Sequence, residues 1–310
     1  MGSRGDASSG PQRLDGSHRR SIGETEALHV LWRAVAAYSA SETGAALRHL
    51  MKWIAQAISA DNVIWIGGVR VLSGAAAKRD PFLGWRLRAR EALRPDPSAY
   101  RRQLAAYYDR EHYGKLTPTY YDRSHAAHDE AHVGMDSRAT ISTTGRFRVH
   151  RLRDGWLDFA AFRRTLHYKL YYRDSGIADR ILVGFPISAG RESFLMIDRF
   201  QKPGGPRQRH FSRREAELAG SAARGVPELH RRLFLDTGLF VGDKVLSPTE
   251  RRILRGLLTG QGEKELALAL GQRPSTLHKY ITALYARYGV NSRAAFMALW
   301  MRGFPPAPSL

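Results

Sequence analysis

Apolar side chains recur at helical spacing through the last sixty or so residues of the chain, and capping residues separate them into four predicted helices. The first begins with a capping box, in which Ser247 and Glu250 bond each other's backbone amides and Pro248 takes the first helical position. Glycines close the second and third helices at Gly271 and Gly289. The residues predicted to point inward are, helix by helix, Ile253, Leu254, Leu257 and Leu258; Leu266, Ala267 and Leu270; Leu277, Ile281 and Leu284; and Ala295, Phe296 and Leu299.

The second predicted helix, Glu263 to Leu270, is joined by a three-residue turn to a third helix, Pro274 to Tyr288, which is polar on its outer face. Such a pair predicts a helix-turn-helix. One helix of this motif fits the major groove of DNA, while basic side chains and helix N-termini hold phosphates. Nine Lys and Arg stand against three Asp and Glu between Leu246 and Arg302, a local balance of +6. Charge and helices alone leave a small bundle with a solvated basic face as the alternative.

The residues of this segment resemble the DNA-binding domain of LuxR-type (LuxR/FixJ/GerE) bacterial transcription regulators, an all-α four-helix domain. The resemblance is spread over the segment with matching spacing. It rests on Leu246-Ser247-Pro248-Thr249-Glu250, Lys264-Glu265-Leu266-Ala267, Leu270-Gly271, Ser275-Thr276-Leu277 and Gly289-Val290-Asn291-Ser292-Arg293-Ala294.

The resemblance implies that the exposed N-terminal half of the third helix reads bases. The matching positions are His278, Lys279, Tyr280 and Thr282. It implies phosphate contacts at Lys264, Thr276 and Arg293, and charge alone adds Arg287. Two residues depart from the family pattern. Arg273 replaces the usual Ser or Thr cap of the third helix, and Glu263 places a negative charge at the second.

Upstream, residues 1–22 have almost no apolar content and are predicted to be a disordered tail. Helices are predicted over about 24–38, 41–59, 98–112 and 158–172, the last with Phe159, Phe162, Leu166 and Leu170 inward. Strands are predicted over 62–72, broken or bulged at Gly67-Gly68, and over 139–144. Residues 180–187 and 193–199 predict a hairpin that ends in a solvated Asp198-Arg199. A capping box of Ser212 and Glu215 opens a further helix to about Leu233.

These elements describe an α+β domain with an antiparallel sheet flanked by helices. The stretch from Ser175-Gly176-Ile177 through the hairpin to Phe211-Ser212-Arg213-Arg214-Glu215 resembles the GAF-like sensor domains that precede LuxR-type helix-turn-helices. The autoinducer-binding domains of quorum-sensing LuxR proteins are a related alternative, because Asp80-Pro81 and Trp85 resemble their polar pocket residues. The predicted organisation is a tail at 1–22, a GAF-like sensor or dimerisation domain at 23–234, a linker at 235–245, the DNA-binding domain at 246–302 and a tail at 303–310.

Charge makes the upstream part notable as well. The chain of 310 residues carries a net charge of +20, of which +14 lies before Leu246. This excess favours an anionic partner such as flanking DNA or an acidic ligand, although arginine-rich composition alone would also produce it. The sequence has no cysteine, which excludes disulfides and thiolate metal sites. It has no apolar run long enough to span a membrane, and a cytoplasmic protein is expected.

Other candidate sites are less specific. His125, His128 and His132 share one face if helical and could bind a transition metal, but incidental polar residues are the more common explanation. Aromatic residues could line a ligand pocket, although core packing is more common for such side chains; the candidates are Trp65, Trp85, Tyr107 and Tyr121. No catalytic constellation or phosphate-binding glycine loop is present in the pattern, so we expect no enzyme and no cofactor.

The sequence therefore predicts a bacterial transcription regulator that binds double-stranded DNA as a homodimer. A small molecule or protein partner acting on the N-terminal domain is expected to control it. Two alternatives stay open: an N-terminal domain that serves only for interaction or dimerisation, and a metal-responsive regulator.

Overall fold

A five-stranded antiparallel sheet forms the centre of the N-terminal part. The computed structural model describes residues 16–80, 82–98, 134–201, 204–206 and 209–301, with the backbone alone for 16–22. The strands are β1 (Asn62–Arg70), β2 (Trp85–Ala92), β3 (Arg148–Arg151), β4 (Ile177–Ser188) and β5 (Arg191–Phe200). Their order in the sheet is β2-β1-β5-β4-β3, with every neighbouring pair antiparallel.

Helices precede, cover and follow this sheet. In the N-terminal part the described helices are α1 (Gly16–Ala36), a 3-10 turn (Ala40–Glu42), α2 (Thr43–Ala57), α3 (Gly74–Arg79), α4 (Met135–Ser142), α5 (Phe159–Phe162), α6 (Leu166–Tyr168), a π-helix (Lys169–Arg173), α7 (Arg213–Arg224) and α8 (Pro227–Thr237). The C-terminal helices are α9 (Pro248–Leu257), α10 (Glu263–Ala269), α11 (Pro274–Tyr288) and α12 (Arg293–Met301). The antiparallel α+β domain and the helical C-terminal domain agree with the predicted fold class.

The predicted hairpin and glycine bulge are both present. β4 and β5 pair antiparallel, with Val183 opposite Leu195, and a two-residue turn joins them. The register of β1 against β2 shifts between Gly67 and Gly68. A Cβ atom at Gly68 would lie 2.9 Å from the Phe194 ring, so a larger residue would displace that ring.

One face of the sheet carries the main core. Val63, Trp65, Val183 and Leu195 point from the strands toward apolar residues of α1, α2, α7 and α8. The indole Nε1 of Trp65 donates to Ser193 Oγ at 2.8 Å. Trp65, proposed from sequence as a ligand-lining residue, is therefore a fully buried core residue with its polar atom satisfied.

The Ser193 hydroxyl continues this chain of hydrogen bonds to His230 of α8. The oxygen lies 2.8 Å from His230 Nδ1, and His230 Nε2 lies 2.9 Å from the carbonyl of Ala223. A carbonyl only accepts, so Nε2 carries the proton and Nδ1 accepts from Ser193. Burial, only weakly opposed by the bond to Ala223, lowers the pKa of His230 to about 4.

This buried histidine makes a pH prediction. The unfolded chain protonates His230 near its ordinary pKa of about 6.5, whereas the folded chain resists protonation down to about 4. Stability is therefore present above pH 6.5 and is lost as the pH falls toward 4, by up to about 3 kcal/mol. Denaturant unfolding of the wild type and of His230→Gln across pH 7 to 4 measures this loss. The carboxyl groups titrate in both proteins, so the difference between the two pH slopes of stability belongs to His230. Equal pH slopes in the two proteins would contradict the assignment.

The opposite face of the sheet contains buried charges that the sequence did not reveal. Arg180 donates to Asp198 through Nε at 2.6 Å and through the terminal nitrogen at 2.8 Å. Arg148 pairs with Glu192, whose pKa is raised by burial. Asp198 is 1% exposed and the neighbouring Arg199 is also buried, so the expectation of a solvated strand end was wrong. The apolar residues between the two ion pairs include Ile64, Ile66 and Phe194.

Two predicted elements differ because tertiary contacts or local hydrogen bonds override the sequence pattern. Residues 139–144, predicted as a strand, belong mostly to α4, whose buried Asp136 accepts from the Tyr172 hydroxyl. The predicted 158–172 helix is broken where the Thr165 hydroxyl accepts from the amide of Tyr168. Leu166, predicted inward, is half exposed, and Tyr171 and Tyr172 are buried in its place.

The ends of two predicted segments also move. The backbone is helical from Gly16, so residues 16–22 were wrongly assigned to the tail. The helix predicted from Ser212 to Leu233 opens at the predicted capping box but breaks at Gly225-Val226, and α8 restarts with Pro227 in its first turn. Most of the predicted 98–112 helix lies outside the described residues.

Candidate DNA-binding surface

The C-terminal domain has its own core. The inward positions predicted for its first three helices are buried or partly buried, and Phe296 and Trp300 of α12 close the bundle beside Tyr288. The Ser247–Glu250 capping box is formed, with the Glu250 carboxylate 2.7 Å from the Ser247 amide nitrogen. These caps and contacts fix α10 and α11 against α9.

The turn between α10 and α11 has four residues, one more than predicted, because α10 ends at Ala269. Gly271 takes a φ of 63°, which suits a residue without a side chain. Arg273 occupies the N-cap of α11 and its side chain makes no capping hydrogen bond, as expected from its departure from the family pattern. The first turn of α11 is therefore held by Pro274 and by burial of Leu277.

The N-terminal half of α11 exposes the predicted base-reading residues. Leu277 and Ile281 face the core, whereas the other side of the helix is exposed to solvent; the exposed residues are His278, Lys279, Tyr280 and Thr282. The Thr282 hydroxyl donates to the carbonyl of His278 at 3.0 Å, so its oxygen keeps accepting capacity toward solvent. Lys279 supplies a positive charge at the middle of this surface.

Glu263, the second departure, lies against this surface. Its carboxylate Oε2 is 3.3 Å from His278 Nδ1, and both side chains are about half exposed or more. A carboxylate only accepts, so the contact fixes the proton of His278 on Nδ1 and leaves Nε2 as an acceptor in the neutral ring. The acidic residue therefore orients a base-reading candidate and offsets one positive charge at α10.

The four candidate phosphate contacts fall into two groups. Lys264 is exposed in the first turn of α10, and Thr276 is half-buried in the first turn of α11. By contrast, Arg293 donates to the carbonyls of Leu257, Thr259 and Gln261 at the end of α9, and Arg287 donates to the carbonyl of Lys244. These two guanidinium groups thus bind backbone carbonyls within the protein, and their contacts with DNA phosphates stay predictions.

The role of Arg293 can be tested by stability. Arg293→Ala should lower the free energy of unfolding by about 2 kcal/mol, because the carbonyls at the end of α9 lose a charged donor. Chemical denaturation measures this loss, and Arg252→Ala, which removes an exposed charge from the same helix region, should be nearly neutral. A phosphate-contacting role predicts the reverse: unchanged stability with a weaker salt dependence of DNA binding.

The other sequence candidates lie in the core or beyond the described part. Trp85 is buried in β2. The carboxylate of Asp80 is already paired, because it accepts hydrogen bonds from the amide of Gly84 in its own loop and from Arg86 at 2.7 Å. Tyr107 and Tyr121 lie outside the described residues, as do His125, His128 and His132. Within the residues described, no group of three His, Cys, Asp or Glu side chains could hold a metal ion. In the same part of the chain, no helix combines the length and apolarity needed to cross a membrane.

A family model covers the C-terminal domain. Residues 244–299 match the family model described as "Bacterial regulatory proteins, luxR family". No curated protein matches the chain. Among solved structures, SdiA in complex with octanoyl-rac-glycerol shares 14% identity over 93% of this chain and 96% of its own, with a TM-score of 0.40. Escherichia coli SdiA shares 13% identity over 90% and 96%, with a TM-score of 0.36. Residues 244–299 are therefore a LuxR-family helix-turn-helix domain.

Proposed function

We propose that this protein is a sequence-specific DNA-binding transcription regulator that acts as a homodimer. The observation that carries the proposal is the two-sided α11 of a LuxR-family domain. Its apolar side is buried in the bundle and its polar side is exposed. A helix so presented fits the major groove, where its side chains meet base edges.

In this proposal the exposed residues of α11 have distinct roles. Lys279 donates to guanine, and Tyr280 and Thr282 contact base edges or the adjoining backbone. His278, oriented by Glu263 through Nδ1, presents Nε2 to a base edge. Lys264 and the N-terminus of α11 at Thr276 hold phosphates.

Selection of genomic fragments by the full-length protein tests the proposal. The wild type should enrich a defined site, whereas Lys279→Ala/Tyr280→Ala should lose that site and keep weak, salt-sensitive binding. Arg252→Ala, an exposed cation of α9 off the α11 surface, is the matched control and should enrich the wild-type site. Enrichment of one non-specific pool by all three proteins would contradict base reading by α11.

We further propose that the N-terminal domain is a GAF-like sensor whose effector is a small molecule. The support is the sheet face away from the main core, where Ile64, Ile66 and Phe194 lie between the Arg148–Glu192 and Arg180–Asp198 pairs. These residues are buried, and ligand pockets are lined mainly by buried apolar side chains with a few fixed polar groups, which is the composition of this face. A thermal-shift screen measures binding, since a ligand at a hundred times its Kd adds about 2.7 kcal/mol of stability. An unchanged melting temperature across the screen would favour a domain used only for interaction.

A further inference from the structure

The two cores of this protein meet within a single helix. On α8, Leu233 and Phe234 belong to the core of the N-terminal domain, whereas the next residue, Leu235, belongs to the core of the DNA-binding domain. The hydroxyl of Tyr288 on α11 donates to the Leu235 carbonyl. The predicted linker therefore does not begin at residue 235, because this residue is part of a shared helix.

Asp236 follows Leu235 and is 1% exposed. Its Oδ1 accepts from Arg255 Nε at 2.7 Å, and its Oδ2 accepts from terminal nitrogens of Arg255 at 2.7 Å and Arg251 at 2.8 Å. Arg251 and Arg255 are one turn apart on α9, the first helix of the DNA-binding domain. A carboxylate in the last turn of a helix is unfavourable beside the helix dipole, so this aspartate depends on its two arginine partners.

The segment between the domains is also fixed from both sides. From the sheet, Arg88 Nε donates to the Asp243 carbonyl at 2.8 Å and Arg191 Nε to the Leu239 carbonyl at 2.6 Å. From the DNA-binding domain, Arg287 donates to the Lys244 carbonyl. Three arginines thus bind successive parts of the segment that was predicted to be a linker.

We infer that Asp236 is a positioning residue for DNA binding, which holds the α11 reading surface in one orientation relative to the N-terminal domain. The DNA part of this inference rests on the function proposed above. The docked arrangement leaves His278, Lys279 and Tyr280 exposed, so it presents the reading surface. The same helix carries His230, which contacts Ser193 of β5, so α8 links the sheet to α9 directly.

Spin labelling tests the positioning without DNA. The chain has no cysteine, so Glu26→Cys on α1 and Leu268→Cys on α10, both exposed, give one label in each domain. Labelled protein is diluted with unlabelled protein to remove distances between copies. Pulsed electron paramagnetic resonance should give one narrow distribution of distances between the two labels in the otherwise unmodified chain. Asp236→Asn should broaden this distribution at least about twofold, because the two domains then take more than one relative orientation.

The control substitution removes a weaker contact to Arg251, one of the two arginines that bind Asp236. Glu91 lies 3.7 Å from Arg251 and is partly exposed, so Glu91→Gln should keep the narrow distribution. A narrow, unshifted distribution in Asp236→Asn, or a broad one in the parent chain, would overturn the inference. If Asp236→Asn does not fold, Arg255→Gln decides, because it removes two of the three hydrogen bonds from a side chain that is 36% exposed.

The DNA readout separates positioning from folding. On a fragment with two half-sites, Asp236→Asn should lose about tenfold in affinity and tolerate changed half-site spacing, while affinity for one half-site stays unchanged. Equal losses of affinity on both fragments would show that Asp236 only stabilises the fold of the C-terminal domain. If the wild type selects no DNA site, the proposed function fails. The spin-label distances still decide whether Asp236 fixes the orientation of the C-terminal domain.

Discussion

Asp198→Ala should lower the free energy of unfolding by about 3–5 kcal/mol, among the largest effects of any single substitution in the N-terminal domain. The carboxylate is buried and takes two hydrogen bonds from Arg180, whose guanidinium also lies 4.8 Å from the Tyr172 ring centre. Removing Asp198 leaves a buried cation without its counter-charge, which costs far more than the lost contact. Urea unfolding followed by circular dichroism measures the change.

A matched acid on the surface provides the control. Asp154 pairs with Arg151 at 3.8 Å and is partly exposed, so Asp154→Ala should change stability by less than about 1 kcal/mol. A similar small loss for Asp198→Ala would mean that water reaches Arg180 and that this sheet face is open.

Lys279→Ala and Lys264→Ala should weaken DNA binding in two different ways. Lys279 lies on the exposed side of α11, so its loss should cost about 10- to 100-fold on the selected site and little on random DNA. Lys264 lies at the start of α10 and is proposed to hold a phosphate, so its loss should weaken binding to all sequences. The slope of log affinity against log salt should become shallower by about one unit for Lys264→Ala.

Fluorescence anisotropy with the selected site and a scrambled duplex, at several salt concentrations, measures both effects. Arg252→Ala removes the same charge from α9 and should follow the wild type on both duplexes. Equal losses for Lys279→Ala on the two duplexes would place Lys279 on the DNA backbone and contradict its role in specificity.

The C-terminal domain could be predicted almost residue by residue because its signals are local. The Ser247–Glu250 box, the glycine after α10 and the spacing of Leu277, Ile281 and Leu284 each act within a few residues. The roles of Arg287 and Arg293 could not be predicted in this way. Their carbonyl partners lie more than thirty residues away, whereas charge suggested DNA for Arg287 and the family resemblance suggested it for Arg293.

The N-terminal domain shows the same limit more strongly. β2 alternates apolar and basic residues from Trp85 to Arg90, a strand pattern that was missed because it lies among prolines. The alternation alone would still have predicted the wrong buried side of β2, because Arg86 and Arg88 are buried while Leu87 is exposed. The burial of Arg180 and Asp198 likewise follows from pairing across two strands, which single-sequence periodicity does not encode.

The shared helix α8 has a consequence for engineering this protein. Domain boundaries usually fall in flexible linkers, so a DNA-binding domain is most simply exchanged between regulators by joining the chains within such a linker. Here a cut at residue 235 would divide a helix between two cores, separating Phe234 from Leu235. A cut after Asp236 would separate this carboxylate from Arg255. A functional chimera should therefore carry α8 whole and match both of its neighbours. In this chain the unit of exchange is larger than the helix-turn-helix that sequence similarity outlines.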